Sequence, residues 1–383
     1  MSLDRAPPPE RSERACDLLV VGAGPAGCAA AVAARAAAPG LRVLVVDAAR
    51  FPREKLCGGA LTGGGLRELA LAGLALRVRH AVATHAVLRA GGVARRVELP
   101  EPAVTVRRVE LDHDLVAQAR AAGAEVVEGA RLHGLRGAVA DTAAGPVRFR
   151  ALVAADGAST AARRALGLPA GRRVPLREAL VAGARQRDLV FDLDAAAGGY
   201  AWRFPCLDAG RPAENVGAYS LAGARQAAAG LARFAEQEEL SIDGVNAGAL
   251  RVFDPRGACG VRGALLAGEA LGADPLAGEG LRYALWSGRI AGALAARALA
   301  RGRAPSPGAY RAALAATRSG ATLALAALLA PRLYGDDPRW RARAGDAAVA
   351  QALAALVSGA APLGPILALL GRFAALAGGA PGR

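Results

Sequence analysis

Near the start of the chain, apolar and polar positions follow patterns that predict one supersecondary unit. Leu18–Val21 are four consecutive apolar residues, as is typical of a buried strand. An alanine-rich stretch at 25–38 predicts a helix, which a Pro-Gly pair ends. Residues 41–46 form a second apolar run that closes on Asp47. The pattern therefore predicts a strand, a helix and a parallel strand in that order.

The turn between this strand and helix carries a glycine pattern suited to a dinucleotide. Gly22 makes the tight turn, Gly24 lets a pyrophosphate approach the backbone, and Gly27 lets the helix pack closely on the strand. The free N–H groups at the helix N-terminus can bind phosphates. Asp47 lies twenty residues after Gly27, where a carboxylate can accept hydrogen bonds from ribose hydroxyls. We therefore predict that a dinucleotide binds to Gly22, Gly24, Pro25, Ala26, Gly27 and Asp47.

The pattern changes again further along, which divides the chain into predicted domains. Apolar runs at 147–155 and 264–267 predict more parallel strands, and residues 281–300 predict a long helix. Residues 112–122 predict a helix with Asp112 as its N-cap. We expect an α/β chain with this division: a disordered tail at 1–15, a discontinuous dinucleotide-binding domain at 16–165 and 255–303, a β-sheet substrate domain at 166–254, and a helical region at 304–383.

The charge of the chain changes this picture little. The formal net charge of the 383 residues is +15, but Lys55 is the only lysine and the arginines are spread along the chain. Aromatic residues make up only 4%, and no zinc-finger spacing is present. We therefore predict no nucleic-acid partner and no metal site. Weak attraction to anionic lipid, as peripheral membrane contact, agrees better with this charge.

The cysteines and the apolar runs indicate a compartment. The five cysteines include no Cys-x-x-Cys pair, and the sequence opens without an apolar signal segment. No run reaches the roughly 18 apolar residues of a membrane span. We expect reduced thiols and a cytoplasmic protein.

A glycine-rich loop follows Asp47 and contains Lys55, Cys57 and Gly58. Glycines in such a loop let the backbone pass close to a flat or bulky group. Cys57 is either a reactive thiol beside that group or a small thiol that fits where a larger residue would not.

Three aromatic residues, Tyr200, Trp202 and Phe204, stand at every second position. On a strand they face one side, where they either line a cavity for an apolar ligand or pack a core. Cavity lining is the hypothesis that we favour. An Asn-Val-Gly segment at 215–217 follows after a turn.

Two further segments carry carboxylates near glycines. Asp156-Gly157 follows an apolar strand, and Gly268-Glu269-Ala270 follows another. Gly278-Glu279-Gly280 precedes the long helix, whose positive N-terminal end would stabilise negative charge.

With these segments in this order, residues 15–300 resemble the geranylgeranyl reductase family of FAD-dependent oxidoreductases. The resemblance implies FAD as the cofactor, in a glutathione-reductase-type Rossmann FAD-binding domain interleaved with a β-sheet substrate domain. The family normally has aspartate where this chain has Glu269, so a carboxylate remains but is one methylene longer. The implied cofactor contacts, beyond the glycine turn and Asp47, are Lys55, Cys57, Gly58, Arg108, Val127, Asp156, Gly157, Glu269, Gly278, Glu279 and Gly280. Arg108 is otherwise a surface arginine before a helix.

The resemblance also implies a reaction, in which carbon–carbon double bonds of an isoprenoid or similar apolar chain are reduced. NADPH or another reductant would supply electrons, and Cys57 or an ordered water would donate the proton. A flavin-dependent monooxygenase or halogenase shares many of these segments and stays an alternative. A second alternative is an FAD-containing lipid-surface binding protein without turnover.

Overall fold

The computed structural model describes residues 13–159 and 161–359, together with residues 364 and 371. Within these residues the strands are β1 (Arg14–Ala15), β2 (Leu18–Val21), β3 (Val43–Val46), β4 (Ala60–Leu61), β5 (His80–Ala90), β6 (Val93–Val106), β7 (Glu125–Val127), β8 (Leu132–Arg136), β9 (Val139–Thr142), β10 (Gly145–Arg148), β11 (Ala151–Ala154), β12 (Arg173–Ala182), β13 (Leu189–Asp192), β14 (Gly199–Asp208), β15 (Arg211–Ser220), β16 (Asn246–Arg251), β17 (Gly260–Val261) and β18 (Ala264–Leu266). The α-helices are α1 (Pro25–Ala37), α2 (Gly63–Leu71), α3 (Arg108–Ala121), α4 (Ala161–Ala165), α5 (Ala224–Gln237), α6 (Leu281–Ala300), α7 (Pro307–Ala315), α8 (Arg318–Leu333), α9 (Pro338–Ala344) and α10 (Ala347–Ser358). A short 3₁₀ turn covers Gly268–Ala270.

The predicted βαβ unit lies at the centre of a six-stranded sheet with the order β17-β18-β11-β2-β3-β7. The strands from β18 to β7 in this order run parallel, so their carboxyl ends meet at one edge. Every residue of β2 and β3 is buried, which explains why these strands read as continuous apolar runs. The α/β class and the Rossmann-type unit are thereby confirmed.

A second sheet has eight strands in the order β16-β12-β15-β14-β13-β5-β6-β4. Neighbouring strands are antiparallel except β13 and β5. Because side chains alternate along β14, Ala201 packs towards α5 with Leu231 and Phe234, while the aromatic residues point to the opposite face. The sheet combines strands of 60–106 with strands of 173–251. Part of the predicted FAD-binding segment therefore contributes to it, and the domain limits stay a prediction.

The two ends of the chain are described in part. Residues 1–12 of the predicted tail lie outside the described residues, whereas β1 pairs in parallel with β10 of a four-stranded sheet, β1-β10-β9-β8. Residues 304–359 are largely helical, as expected. Within the described residues no single helix is long and apolar enough to span a membrane. The pair α7 and α8, bent by 87°, passes that test only jointly, by length and composition.

The start of α3 differs from the prediction. The helix begins at Arg108, four residues before the expected N-cap Asp112, and Arg107 is the residue that precedes it. Asp112 lies inside the helix and is fully buried. Its carboxylate pairs with Arg108 one turn earlier, so the residue is an ion-pair partner rather than a cap.

Candidate functional site

One cavity of about 530 Å³ runs from the carboxyl edge of the six-stranded sheet to the inner face of the eight-stranded sheet. At one end it is lined by the glycine turn, Asp47 and the Asp156-Gly157 turn. At the other end the walls are aromatic and aliphatic side chains of the second sheet together with α8 and α10. The structure thus joins a polar region and an apolar region in one cavity.

The polar end is shaped by tight backbone packing. A Cβ at Gly22 would overlap the Ala155 carbonyl, and the φ of Gly22 is +103°, so this turn requires glycine. A Cβ at Gly27 would overlap the Gly22 carbonyl, which is how α1 approaches β2 closely. Asp47 accepts hydrogen bonds from the N–H groups of Ala23 and Ala49, both at 2.7 Å. The carboxylate therefore also holds the glycine turn in place.

Open space at two glycines and one unpartnered carboxylate oxygen fit an FAD molecule in this end of the cavity. A Cβ at Gly280 would meet no described protein atom within 4 Å, and one at Gly24 would meet only the Arg53 guanidinium at 3.7 Å. Asp156 is mostly buried, and its Oδ1 has no hydrogen-bond partner among the described residues. Burial raises the pKa of Asp156. A ligand that bears phosphates and hydroxyls would fill the space beside these glycines, and its hydroxyl would donate a hydrogen bond to the unpartnered oxygen.

Glu269, the departure from the family aspartate, is engaged with the protein. Its Oε1 accepts the N–H of Arg251 at 3.1 Å, and its Oε2 lies 3.5 Å from Lys55 Nζ. Oε2 also lies 3.8 Å from the position that a Cβ at Gly157 would take. The longer side chain thus reaches the edge of the cavity beside the Asp156-Gly157 turn.

The loop with Cys57 lies directly on the aromatic strand. A Cβ at Gly58 would come within 2.9 Å of the Phe204 ring and 3.2 Å of Trp202 Nε1, so the absence of a side chain lets the loop reach β14. Cys57 is half-buried, lines the cavity, and accepts the Gly59 N–H at 3.4 Å. The two segments that the sequence singled out are therefore in contact.

Arg108 lines the cavity with a buried guanidinium that is already paired. It donates two hydrogen bonds of 2.7 Å to the carboxylate of Asp112, which Arg53 also approaches at 3.1 Å. Burial alone would lower the pKa of Arg108, but the charge and hydrogen bonds of Asp112 outweigh it and raise that pKa. The arginine is a buried ion pair at the cavity wall rather than a surface residue.

Tyr200, Trp202 and Phe204 all line the cavity, and each packs against another aromatic ring. Trp202 Nε1 donates to Asn215 Oδ1 at 2.7 Å, which explains why the strand pair carries an asparagine there. Glu178, on β12, is a further buried acid of this wall, and burial raises its pKa. The sequence pattern did not single out Glu178.

Three tyrosine hydroxyls hold the loop between the 3₁₀ turn and α6. Tyr219 donates to the Pro275 carbonyl at 2.6 Å, Tyr334 donates to the Leu276 carbonyl, and Tyr200 donates to the Ala277 carbonyl at 2.5 Å. Asp274 caps the same loop by accepting the N–H groups of Leu276 and Ala277. This tyrosine clamp, formed by Tyr200, Tyr219 and Tyr334, connects two strands of the second sheet and α8 to a loop that lines the cavity.

Glu279 is a second buried acid of the cavity wall, as little exposed as Glu178. Its Oε1 accepts the Thr62 hydroxyl at 2.6 Å, and its Oε2 has no hydrogen-bond partner among the described residues. The nearest cation is Arg282, whose Nη1 lies 3.8 Å from Oε2. Burial raises the pKa of Glu279 to about 7 and that of Asp274 to about 6.

The structure places nearly all predicted site residues on one cavity. Two predicted contacts do not line it: Gly27 packs α1 on β2, and the Val127 carbonyl accepts the Asp47 N–H at 3.0 Å. The roles of all these residues in binding stay predictions. Sequence reasoning missed Thr62, Tyr219 and Tyr334, because their hydrogen-bond partners are distant in the chain.

Comparisons with known proteins agree with this geometry. A family described as an FAD binding domain matches residues 15–189. The chain is similar to a menaquinone reductase of Mycolicibacterium smegmatis, with 34% identity over 319 residues that cover 73% of this chain and 76% of that protein. It is also 30% identical to digeranylgeranylglycerophospholipid reductase 2 of Methanopyrus kandleri, over 74% of this chain and 77% of that protein.

Solved structures share the fold at lower identity. A geranylgeranyl bacteriochlorophyll reductase-like protein from Thermoplasma acidophilum superposes with a TM-score of 0.78 and 21% identity, over 94% of this chain and 100% of that one. A flavin-dependent brominase superposes with a TM-score of 0.72 and 18% identity over the same shares. At these identities the superpositions show a common fold and leave the reaction open.

Proposed function

Because this chain belongs to the geranylgeranyl reductase family of FAD-dependent oxidoreductases, we propose that it reduces carbon–carbon double bonds in an isoprenoid chain. The observation that carries the proposal is the apolar end of the cavity, which continues directly from the end that fits FAD. Because halogenases share this fold, the fold alone does not identify the reaction. The residues of the cavity wall indicate the substrate class.

Each end of the cavity has a proposed task. The glycine turn, Asp47, Asp156 and Gly280 would hold FAD, and when bound the flavin supplies hydride chemistry that protein side chains lack. The loop at Cys57 and Gly58 would place the cofactor against the aromatic strand, because it already contacts Trp202 and Phe204. The protein thereby positions the reacting groups and excludes water.

The apolar end suits an uncharged hydrocarbon chain. Besides the three aromatic residues of β14, its walls include Leu88, Val97, Leu189, Phe191, Leu250, Leu333 and Leu353. Such walls gain free energy by burying apolar surface, and they offer few hydrogen bonds to a polar substrate. Glu101 also lines the cavity, and its carboxylate is paired with Arg67. An isoprenoid chain therefore matches the chemistry of this wall, whereas a charged substrate would not.

The names of the relatives support the same chemistry. One is named for menaquinone and another for a digeranylgeranyl glycerophospholipid, and both molecules carry isoprenoid chains. We propose NADPH or another reductant as the source of electrons, and contact with a membrane surface as the route by which such a lipid arrives.

Anaerobic absorbance spectroscopy of the FAD-loaded protein tests the proposal. NADPH, NADH or dithionite should bleach the flavin band, and a geranylgeranyl lipid should restore it without oxygen, with one double bond lost per flavin. The fully saturated lipid is the matched control and should leave the band bleached. If only oxygen restores the band and the product is hydroxylated or halogenated, the monooxygenase or halogenase alternative replaces the proposal.

A further inference from the structure

The reduction of a double bond needs a hydride for one carbon and a proton for the other, and the proton must come from the protein or from water. Six carboxyl groups line the cavity: Asp47, Glu101, Asp156, Glu178, Glu269 and Glu279. The contacts of each carboxyl group indicate whether it can be protonated near neutral pH. Its position indicates whether it reaches the apolar end of the cavity.

Three of these carboxylates are held by donors or cations. Asp47 accepts two backbone N–H groups, Glu101 pairs with Arg67, and Glu269 contacts the Arg251 N–H and Lys55. Both oxygens of Asp47 and both oxygens of Glu269 are engaged by these contacts, and Glu101 lies in a half-exposed ion pair. A proton donor needs a carboxyl oxygen that is not already accepting a hydrogen bond.

Two others are less suitable by position or charge. Asp156 lies at the glycine turn, where Gly22 packs on its backbone, and its Oδ2 accepts the Ala162 N–H at 3.1 Å. Glu178 is buried and its Oε2 also has no hydrogen-bond partner among the described residues, but the Cys57 N–H, the Asn215 side chain and the charges of Arg107 and Lys55 all favour its ionised form. Glu279 remains.

The environment of Glu279 favours the neutral acid. Its side chain is 4% exposed and the residue lines the cavity. One oxygen accepts the Thr62 hydroxyl, and the other has no hydrogen-bond partner among the described residues, with Arg282 Nη1 at 3.8 Å. An unpartnered buried oxygen is costly as a carboxylate but can carry the proton of the acid.

The charged and titratable groups around Glu279 come from several elements. Arg282 and Tyr283 lie on α6, Asp274 lies on the preceding loop, and Tyr200 lies on β14. The Tyr200 hydroxyl donates to the Ala277 carbonyl at 2.5 Å, and a Cβ at Gly278 would lie 3.0 Å from that hydroxyl, so the segment that carries Glu279 lies against the aromatic strand. Glu279 therefore lies where the polar and aromatic parts of the cavity meet.

We propose that Glu279 donates the proton that completes reduction of the double bond, an inference that rests on the proposed function. The O–H bond of the Glu279 carboxyl breaks and a C–H bond forms at the alkene carbon that does not receive the hydride. Reduced FAD, when bound, would supply the hydride together with its electron pair. Glu279 is left as a carboxylate, which Thr62 stabilises by its hydrogen bond, and it takes its next proton from water.

The test measures the rate at which lipid reoxidises the reduced enzyme, without oxygen, from pH 5 to 9. In the unaltered protein the rate should be constant at low pH and fall about tenfold per pH unit above about 7, as the acid ionises. In Glu279→Gln it should be at least about 100-fold lower and independent of pH, with normal FAD content and normal reduction by dithionite. Glu236→Gln, an exposed acid on α5 behind the second sheet, should keep the rate and the profile.

Thr62 supplies a second variant should Glu279→Gln fail to fold. Thr62→Ala removes the hydrogen bond to the carboxylate, so the fall in rate should move to higher pH, whereas Thr62→Ser should not move it. A readout without turnover is the melting temperature, whose fall between pH 5 and 7 should be smaller in Glu279→Gln.

The outcomes separate the two proposals. Lipid that reoxidises the unaltered protein and Glu279→Gln equally, or a profile that Thr62→Ala does not move, overturns the role of Glu279 alone. Lipid that never reoxidises the unaltered protein overturns the proposed function and this inference together.

Discussion

Glycines at the cavity differ in what surrounds them, although the sequence presents them alike. Gly22 is enclosed by the backbone of residues 155 and 156, whereas no described protein atom lies near the position that a Cβ at Gly280 would take. The first glycine is required by the fold, and the second leaves room for a ligand.

Gly280→Ala should therefore fold normally and bind FAD more weakly. The φ of Gly280 is −100°, which alanine adopts without strain, but the added methyl group would occupy space that the cofactor needs. We expect FAD affinity to fall at least about tenfold, roughly 1.4 kcal/mol, with the melting temperature of the FAD-free protein unchanged. Gly40→Ala, an exposed loop position with open space, is the control. Unchanged FAD affinity in Gly280→Ala would contradict the placement of the cofactor.

Arg108 shows where a residue pattern was not enough. An acidic residue before an apolar helical stretch is typical of an N-cap, so the pattern predicts an N-cap at Asp112. The helix begins one turn earlier, so the same spacing makes an i,i+4 ion pair. The burial of Asp112 decides whether it is a helix cap or an ion-pair partner. Its carboxylate is also contacted by Arg53, which lies in a loop distant in the sequence.

At the scale of elements, α1 and α6 approach each other through small residues. A Cβ at Gly288 would overlap the Ala26 carbonyl, and one at Gly292 would overlap the Ala30 carbonyl. The two glycines lie one turn apart on the same face of α6. These glycines let α6 pack closely against α1, the helix that begins at the glycine turn. The packing therefore helps to position the starts of both helices, which lie at the FAD region.

Gly292→Ala should destabilise the protein by about 1–3 kcal/mol, because the methyl group forces two closely packed helices apart. Urea unfolding of the FAD-free protein measures this change. Gly308→Ala in α7 is the matched control, since its Cβ would meet only Ser306 Oγ at 3.7 Å. That variant should be unchanged or slightly stabilised, as alanine favours a helix. Equal effects of the two variants would contradict the packing argument.

At the scale of the whole molecule, the tyrosine clamp joins the second sheet and α8 to the loop before α6. The same junction contains two buried acids, Asp274 and Glu279. The contact between the two sheets is therefore polar and sensitive to protonation, although the cores on either side of it are apolar.

The free energy of unfolding should fall as the pH rises from about 5 to 7. Burial raises the pKa of Asp274 to about 6 and that of Glu279 to about 7, above their values in the unfolded chain. Between the pKa of each group in the unfolded chain and its pKa in the native state, the native state binds more protons than the unfolded state. The resulting stabilisation is therefore complete at low pH and is lost by about pH 7. Each group contributes up to about 1.4 kcal/mol per pH unit in that window. Urea titrations at pH 5, 6, 7 and 8 check this, and a free energy that rises over this range would refute it.

Some parts of the fold have a local physical signal and can be predicted from the sequence. A buried parallel strand, a glycine turn and an alanine-rich helix are read from neighbouring residues, and the structure confirms β2, α1 and β3 within two residues of the predicted limits. The same holds for the aromatic face of β14, because alternation is a property of one strand. These signals were sufficient to predict the FAD region and the apolar wall.

The groups that meet at the junction could not be predicted in this way, because they come from distant parts of the chain. Thr62 and Glu279 are 217 residues apart in the chain, and Tyr200 reaches a carbonyl 77 residues away. The protonation of a carboxyl group depends on its burial and on charges within a few ångströms, which no spacing along the chain records. The sequence therefore predicts a flavin scaffold and an apolar wall, while the fold selects the acid that lies between them.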